Sequence, residues 1–327
     1  MSDAVLQAHE LRVSFPVESG ERVCVVDGVD LELQRGQVLA LVGESGCGKS
    51  VTALALMRLI AKPGRIEAGS RVLLGDTDLL TLPVPQMRDV RGSRIAMIFQ
   101  EPMTCLNPVQ RVGAQVAEAI RLHQRWLSAS AARTRVEQMF ERVGIPDPRT
   151  RAASYPHQLS GGLKQRVMIA MALAMQPQVL IADEPTTALD VSVQAQILEL
   201  MRELRRELGT AILLITHDLG VVNEMADRVS VMYAGRIVEH GTRLDVLGGA
   251  RHPYTRGLLR AIPALAHRGE RLQEIEGVVP SPASWPRGCR FAPRCSVAFE
   301  PCGSDVPGTT RLGAGHHVCC HDAERAK

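Results

Sequence analysis

The feature that most constrains this chain is a glycine-rich octapeptide, GESGCGKS, at residues 43–50. It matches the pattern G-x-x-x-x-G-K-[ST] at every fixed position, and it lies between a predicted strand, VLALV, and a predicted helix, VTALALMRLI. Glycines let such a loop wrap around phosphate oxygens, and the following helix adds the positive end of its dipole. The octapeptide therefore predicts a phosphate-binding loop in which Lys49 reaches the outer phosphates and Ser50 offers its hydroxyl to Mg²⁺.

A second apolar segment, VLIA, ends in two acidic residues, Asp183 and Glu184. Carboxylates at the end of a buried strand are costly unless they have a partner or a task. We expect Asp183 to bind Mg²⁺, directly or through water, and Glu184 to polarise the water that attacks the terminal phosphate. Two acids that cap a strand in solvent are the ordinary alternative. In a chain that also has a phosphate-binding loop, they favour an Mg²⁺-dependent nucleotidase.

The order of predicted elements indicates an α/β fold. Residues 5–42 are strand-rich and residues 110–175 are helix-rich, with a break at GIPDP, after which strands and helices alternate again. This alternation predicts a mostly parallel sheet covered on both faces. We expect a nucleotide-binding domain over residues 1–245, with a helical subdomain at about 101–165. Proline, glycine and arginine become frequent after that domain, which predicts a separate C-terminal module over residues 246–327.

Composition and hydropathy indicate where in the cell the protein is located. The chain of 327 residues is 45% hydrophobic and 22% charged, as expected for a soluble globular protein, and its net charge of +3 decides nothing. The start, MSDAVLQAHELRVSF, shows no secretory signal. The longest apolar run, Val167–Met175, is far shorter than the ~18 residues that would span a bilayer. We expect a cytosolic location, which makes structural disulfides improbable, and contact with a membrane only through a partner.

At residues 159–166 the chain reads LSGGLKQR, which closely resembles the signature motif of ABC-type ATPases. Ser160, Gly161 and Gly162 open a predicted helix and would form a second anion site. Because the chain already has one phosphate-binding loop, a second site suggests phosphate presented by another molecule. In the family, two such domains enclose two ATP molecules, each loop facing the partner's signature helix. Leu163 replaces the glutamine of many members, but it lies outside the three phosphate-contacting residues.

The other motifs of the family follow in the expected order. Gln100 in IFQEP resembles the Q-loop, TALD at residues 187–190 resembles the D-loop, and His217 in LLITHD resembles the switch histidine. Phe15 lies where the family has an aromatic residue that stacks on adenine. The resemblance implies a P-loop NTPase (RecA-like) core with an antiparallel β subdomain and a helical insertion.

The resemblance also implies ATP and Mg²⁺ as ligands, with Glu184, His217 and Gln100 as catalytic residues. It implies Mg²⁺ contacts from Ser50, Gln100 and Asp183. The residues it assigns to nucleotide binding are Phe15, Gly43, Ser45, Gly46, Cys47, Gly48, Lys49, Ser50, Val51, Gln100, Ser160, Gly161, Gly162 and Asp183.

Three local features resemble the ATPase subunits of dipeptide and oligopeptide importers: IFQEPMTCLNPV after Gln100, HPYTRGLLRAIP at residues 252–263, and the cysteine-rich tail. This implies ATP hydrolysis that powers peptide import, on the cytoplasmic face of the inner membrane. The implied partners are a second ATPase, often a paralogue, two permeases and an external peptide-binding protein. Met103 and Leu106 are candidate permease contacts, although ordinary core positions are equally expected.

Other functions remain open from the sequence. Relatives in the same branch serve nickel, opines or glutathione, and the sequence does not separate these solutes or say whether the ATPase pair is identical. A soluble ABC ATPase of DNA repair or chromosome packing is disfavoured, because the chain has one nucleotide domain and no long heptad arms. We therefore expect no nucleic-acid partner. A non-enzymatic nucleotide sensor is disfavoured because Glu184 and His217 are both present.

Five of the eight cysteines lie from Cys289 onward. Disulfides are improbable in the expected compartment, and the spacing lacks the short C-x₂₋₄-C pairs of common zinc sites. Wider spacing favours a [4Fe–4S] cluster on four thiolates, with zinc as the alternative. The resemblance to peptide-importer ATPases implies the ligands Cys289, Cys295, Cys302 and Cys320. Cys319 is expected to be a bystander, and a structural role is favoured over redox sensing.

Overall fold

Residues 3–100, 105–187, 190–261 and 274–325 are described by a computed structural model. They form two compact units. The first unit contains the described residues of 81–213 and two short N-terminal segments. The second contains residues 6–33, residues 38–80 and the described residues from 214 onward.

The described strands, in chain order, are β1 (Ala4–Pro16), β2 (Arg22–Gln34), β3 (Val38–Val42), β4 (Arg65–Ile66), β5 (Arg71–Leu74), β6 (Thr77–Asp78), β7 (Ile95–Ile98), β8 (Val179–Asp183), β9 (Ala211–Thr216), β10 (Arg228–Tyr233), β11 (Arg236–Thr242), β12 (Thr309–Arg311) and β13 (His317–Cys319). The described α-helices are α1 (Lys49–Leu56), α2 (Val84–Val90), α3 (Val112–His123), α4 (Ala129–Arg142), α5 (Pro148–Ala152), α6 (Gly161–Leu173), α7 (Val191–Leu208), α8 (Leu219–Met225), α9 (Arg243–Gly249), α10 (Pro253–Arg260), α11 (Glu300–Ser304) and α12 (His321–Arg325).

An antiparallel sheet forms one part of the second unit. Its strands lie in the order β2-β1-β5-β6, and β4 also pairs with β1. Leu6 lies opposite Leu74 and Ala8 opposite Val72, and all four side chains are buried. The alternation of buried and more exposed residues along β1 is what a sheet with one covered face requires. The expected antiparallel subdomain is therefore present, although β4–β6 lie beyond the strand-rich region predicted from the sequence.

A second sheet in the same unit contains the strand that leads into the phosphate-binding loop. Every residue of β3 is buried, and β3 pairs in parallel with β10, Val42 lying opposite Val231. A strand covered on both faces reads as an unbroken apolar run, which explains VLALV. Antiparallel pairs then join β10 to β11, β11 to β13 and β13 to β12. Residues 246–327, predicted as a separate module and called the C-terminal module below, thus supply two strands that their sequence did not indicate, and their described part lies in the same compact unit as β3.

The first unit contains the other parallel strands and most of the helices. β7 pairs in parallel with β8, and the start of β9 lies beside them because Ala211 N–H donates to Gln178 O at 2.9 Å. Helices α3–α6 form the predicted helical region, and GIPDP separates α4 from α5 as expected. Ser128 caps α4 by accepting a hydrogen bond from Ala131 N–H, and Asp190 caps α7 in the same way.

One predicted element is shorter than expected. The helix after the phosphate-binding loop was expected to run through VTALALMRLI, but α1 ends at Leu56. Arg58 has a φ of 49°, in the left-handed region, which an α-helix cannot include. Beyond Arg58 the buried helix does not continue: Leu59 and Ile60 are half-buried and Ala61 is exposed.

Candidate functional site

The glycines of the phosphate-binding loop stand where a side chain would collide with the chain or force an unfavourable backbone. A Cβ at Gly43, whose φ is 155°, would lie 2.2 Å from Met232 O. A Cβ at Gly48, whose φ is 110°, would lie 3.0 Å from Val25 O. Gly46 has a φ of 79° and open space around it. The loop is therefore built so that its backbone stays close to strand β10 while its outer edge stays open.

Lys49 is folded back into this loop. It is 6% exposed, and its Nζ donates to Gly43 O at 2.7 Å and to Glu44 O at 3.0 Å. Gly48, the N-cap residue of α1, has a left-handed backbone and provides no side-chain hydrogen bond. No cap side chain therefore competes with an anion for the first N–H groups of α1. The loop, its lysine and the open helix end fit the phosphate chain of a nucleotide.

The remaining loop residues differ in exposure. Ser45 and Gly46 are exposed, Ser50 and Val51 are half-buried, and Cys47 is buried. Burial raises the pKa of the Cys47 thiol, so it is held as a neutral core group. Cys47 O accepts a hydrogen bond from Gly235 N–H at 2.8 Å, which ties the loop to the β10–β11 turn.

The C-terminal module also contacts the loop. Glu44 N–H donates to Tyr254 Oη at 2.8 Å, and the Glu44 carboxylate forms an ion pair with Arg294, with an Nη1–Oε2 distance of 2.7 Å. Sequence reasoning did not identify Glu44, Tyr254 or Arg294 as site residues. These residues lie far apart along the chain, so no local pattern could have revealed the contact.

Two further predicted residues lie in the same unit as the loop. Phe15 is half-buried at the end of β1, and a Cβ at Gly64 would lie 2.4 Å from its Cε1. A ring that is held at one side and partly exposed can stack on a flat base. His217 is exposed directly after the buried strand β9, and the next residue, Asp218, caps α8.

The two acids lie in the first unit, at the end of β8. Asp183 is 3% exposed, whereas Glu184 is half-buried and has a φ of 47°. Non-glycine residues in the left-handed region cost about 1–3 kcal/mol and concentrate at functional sites. Glu184 Oε2 accepts hydrogen bonds from Gln100 Nε2 at 3.0 Å and from Thr187 Oγ1 at 2.9 Å. The structure therefore brings two of the predicted catalytic residues, Gln100 and Glu184, into direct contact.

The signature residues begin helix α6 in the first unit. Ser160 is the N-cap, and its Oγ accepts a hydrogen bond from Leu163 N–H at 3.4 Å. Ser160 and Gly161 are exposed, and a Cβ on Gly162 would lie 2.8 Å from Val193 Cγ1. The helix therefore begins at an accessible end with no bulky side chain, which is the predicted anion-binding arrangement. Gln165, 2% exposed, joins the same helix to the segment after Glu184 by donating to Pro185 O at 2.6 Å.

Some predicted positions lie outside the described residues. These are Ala188 and Leu189 of the TALD motif and Met103 after the Q-loop. The expectation that Leu106 contacts a permease is wrong for this structure, because Leu106 is 2% exposed and belongs to the core. An apolar residue in this segment was as consistent with burial as with a docking surface.

The four predicted cysteine ligands are half-buried or buried. Cys289 N–H donates to Cys302 O at 2.9 Å, and Cys289 and Cys295 pack against one apolar cluster of the second unit. Burial raises the pKa of Cys289 to about 11 and also raises those of Cys295 and Cys320. Across the part of the chain that the structure describes, no three Cys, His, Asp or Glu side chains are arranged to bind one metal ion.

Comparisons with known proteins identify the family. Residues 26–187 match the family described as "ABC transporter", and residues 238–302 match the "Oligopeptide/dipeptide transporter, C-terminal region". The dipeptide transport ATP-binding protein DppD of Bacillus subtilis (strain 168) is 48% identical, with 97% of this chain and 94% of that protein aligned. DppD of Escherichia coli (strain K12) is 47% identical, with 97% and 96% aligned.

Solved structures share the fold. The dimeric ATP-binding cassette MJ0796, bound to ADP and Pi, has a TM-score of 0.66 at 24% identity and covers 73% of this chain and 98% of its own. cbiO1 of Clostridium perfringens, part of the ABC transporter complex cbiONQ, has a TM-score of 0.62 at 30% identity and covers 76% and 92%. The fold is that of an ABC-type ATPase. The chain belongs to the family of ABC transporter ATP-binding proteins, in the branch that carries the oligopeptide/dipeptide transporter C-terminal region.

Proposed function

We propose that this chain hydrolyses ATP to power import of dipeptides or oligopeptides through a membrane ABC transporter. The similarity that supports this extends over nearly the whole chain, including the C-terminal region, and the most similar proteins named above are dipeptide transport ATP-binding proteins. Nickel, opine and glutathione uptake are the alternatives within the same role, and the transport experiment below separates them from peptide uptake.

The nucleotide site follows from the residues of the phosphate-binding loop. The loop backbone and the uncapped start of α1 would bind the phosphates, and Lys49 would exchange its two carbonyl partners for the outer phosphates. Phe15 would stack on adenine. Gly43, Ser45, Gly46, Cys47, Gly48 and Val51 would complete the loop around the phosphates.

Hydrolysis is assigned to the residues around Glu184. Glu184 would orient and polarise the attacking water, and Gln100, which donates to the same carboxylate, would position both. His217 would hydrogen-bond the terminal phosphate. The family resemblance assigns Mg²⁺ contacts to Ser50, Gln100 and Asp183, whose side chains carry the oxygen atoms that Mg²⁺ prefers. The ion would neutralise charge on the phosphates when bound.

A second ATPase subunit would complete the assembly. Ser160, Gly161 and Gly162 begin α6 at an exposed end, so they can bind phosphate held by another subunit. Two permeases and an external peptide-binding protein would complete the transporter, with this chain on the cytoplasmic face of the membrane. Within the described residues, no helix is both long and apolar enough to cross a bilayer.

We also propose a [4Fe–4S] cluster on Cys289, Cys295, Cys302 and Cys320. The hydrogen bond from Cys289 N–H to Cys302 O and the shared apolar contacts of Cys289 and Cys295 support it, because they gather three of the thiols in one part of the module. The described side chains include no group of three Cys, His, Asp or Glu residues that could hold a metal ion, so the choice of a cluster over zinc rests on the spacing of the cysteines. Four thiolates around a four-iron cluster stand further apart than four around one ion.

The test of hydrolysis is a comparison of two variants with the unmodified protein. Glu184→Gln should keep ATP binding and lose turnover, whereas Lys49→Ala should weaken binding itself, because the loop loses the lysine that would move onto the phosphates. Binding is measured with Mg·ATP by calorimetry and turnover by phosphate release. Near-normal turnover in Glu184→Gln would show that another residue activates the water.

A further inference from the structure

Glu44, the second residue of the phosphate-binding loop, makes hydrogen bonds with three other side chains. Glu44 N–H donates to Tyr254 Oη, Glu44 O accepts from Lys49 Nζ, and the Glu44 carboxylate binds Arg294. Tyr254 and Arg294 both belong to the C-terminal module, and all four residues lie in one compact unit. We propose that Arg294 and Tyr254 are positioning residues for the nucleotide site, which set the shape of the loop and thereby its affinity for phosphate.

The guanidinium group of Arg294 is held by hydrogen bonds to Glu44 and to several other groups of the second unit. Its Nη1 donates to Glu44 Oε2 at 2.7 Å and its Nη2 to Glu44 Oε1 at 3.0 Å, a two-pronged contact. Nε also donates to Glu276 O at 2.9 Å and Nη2 to Ile275 O at 3.1 Å, and Nη1 donates to Tyr233 Oη at 3.4 Å. The Arg294 side chain is 4% exposed and the Glu44 side chain 30% exposed. A planar guanidinium can satisfy all of these acceptors at once, which a lysine cannot do.

Tyr254 supplies the second fixed point. Its ring is fully buried in an aromatic cluster, with ring centroids 4.6 Å from Tyr233 and 5.4 Å from Phe291. Its hydroxyl accepts a hydrogen bond from Glu44 N–H in the loop. The apolar surroundings raise the pKa of the Tyr254 hydroxyl, which keeps it a neutral hydrogen-bonding group.

A second arginine of the module supports the other side of the loop. Arg290 donates to Ala234 O and forms an ion pair with Asp27, while Asp27 N–H donates to Gly235 O at 2.9 Å. Gly235 N–H in turn donates to Cys47 O. Arg290 therefore supports the turn that hydrogen-bonds to Cys47, while Arg294, from the same short segment of the module, contacts Glu44 directly.

The position of Glu44 affects the position of the Lys49 amine. That amine lies on the carbonyls of Gly43 and Glu44, so the position of Glu44 determines where that cation stands before nucleotide arrives. A site arranged in advance binds more tightly because less order is lost on binding. Releasing Glu44 should therefore weaken Mg·ATP binding and raise KM, while kcat at saturating ATP changes little.

The experiment measures Mg·ATP affinity of the full chain by calorimetry, alongside thermal unfolding. Arg294→Ala should raise Kd about tenfold, or ~1.4 kcal/mol, because the loop loses the two-pronged contact that holds Glu44 in place. Arg294→Lys should recover only part of the affinity, and Tyr254→Phe should raise Kd about threefold, because the loop loses one neutral hydrogen bond. Arg287→Ala, an exposed arginine of the same segment, is the matched control and should leave Kd unchanged.

A double-mutant cycle separates positioning from general folding. Glu44→Gln should weaken binding as Arg294→Ala does, and the pair combined should add little to either change. Unchanged Kd in Arg294→Ala, or a loss confined to thermal stability, would overturn the proposal. The proposal rests on the proposed function, but their failures differ. If the unmodified chain does not bind Mg·ATP, the proposed function fails. If the variants bind Mg·ATP as tightly as the unmodified chain, the positioning role fails.

Discussion

Glu239 in strand β11 anchors the C-terminal module, and replacing it provides a quantitative test of how that module is attached. Glu239 is 1% exposed, and its carboxylate accepts from Arg251 N–H at 2.8 Å, His252 N–H at 3.0 Å and His316 Nε2 at 2.9 Å. Arg251 and His252 lead into α10, and His316 precedes β13. One carboxylate therefore fastens both an early and a late segment of the module.

In Glu239→Gln, the amide oxygen can replace Oε1, but the amide N–H₂ then faces His252 N–H and two donors oppose each other. Hydrogen bonds to a charged group contribute roughly 1.5–3 kcal/mol, and a buried donor left unmatched adds a further cost. We expect the free energy of unfolding to fall by about 3 kcal/mol. Because Tyr254 follows His252 by two residues, Mg·ATP affinity should fall as well.

Urea unfolding followed by circular dichroism at neutral pH measures this change, with Glu18→Gln as the control because Glu18 is an exposed loop residue. The control should unfold at the same urea concentration as the unmodified protein. A change below about 0.5 kcal/mol in Glu239→Gln, the range of ordinary surface substitutions, would refute the anchoring role.

Three further predictions follow. Glu184→Gln should lower ATP turnover by several orders of magnitude while Mg·ATP still binds, and equal turnover in a phosphate-release assay would reject the assignment. Burial lowers the pKa of His252 to about 3 and that of His240 to about 4, so the unfolded chain binds more protons than the folded chain between those values and about pH 6.5. The free energy of unfolding should therefore fall on acidification below about pH 6, by at most ~1.4 kcal/mol per pH unit for each histidine, and a flat urea-midpoint profile would contradict this. Anaerobically purified protein should be brown, absorb near ~400 nm and contain about four irons per chain, whereas colourless protein with one zinc would show that the metal is wrong.

The parts of the fold that local sequence specifies were predicted well. The segment of β3 was predicted as a strand and that of β8 as a buried strand closed by Asp183, and the glycine pattern predicted the phosphate-binding loop between β3 and α1. The start of α6 at Ser160 was predicted from the motif and is confirmed, because serine caps helices by a local hydrogen bond.

Long-range pairing was not predicted from the sequence. β12 and β13 contain three residues each, too few for a periodic pattern, and β13 is defined by its pairing with β11 far along the chain. The contact of Glu44 with Arg294 has the same origin, because each residue reads locally as an ordinary solvated charge. The left-handed backbone of Glu184 could not be predicted from the sequence either, since it depends on where β8 ends.

The central claim is that this chain powers peptide import by ATP hydrolysis. The most direct test is uptake of a radiolabelled dipeptide by cells that lack the gene for this chain and express either the unmodified protein or Glu184→Gln at equal levels. We expect uptake with the unmodified protein, none with the variant, and competition by unlabelled dipeptide but not by nickel, opine or glutathione. Equal uptake with both proteins, or competition only by one of those other solutes, would contradict it.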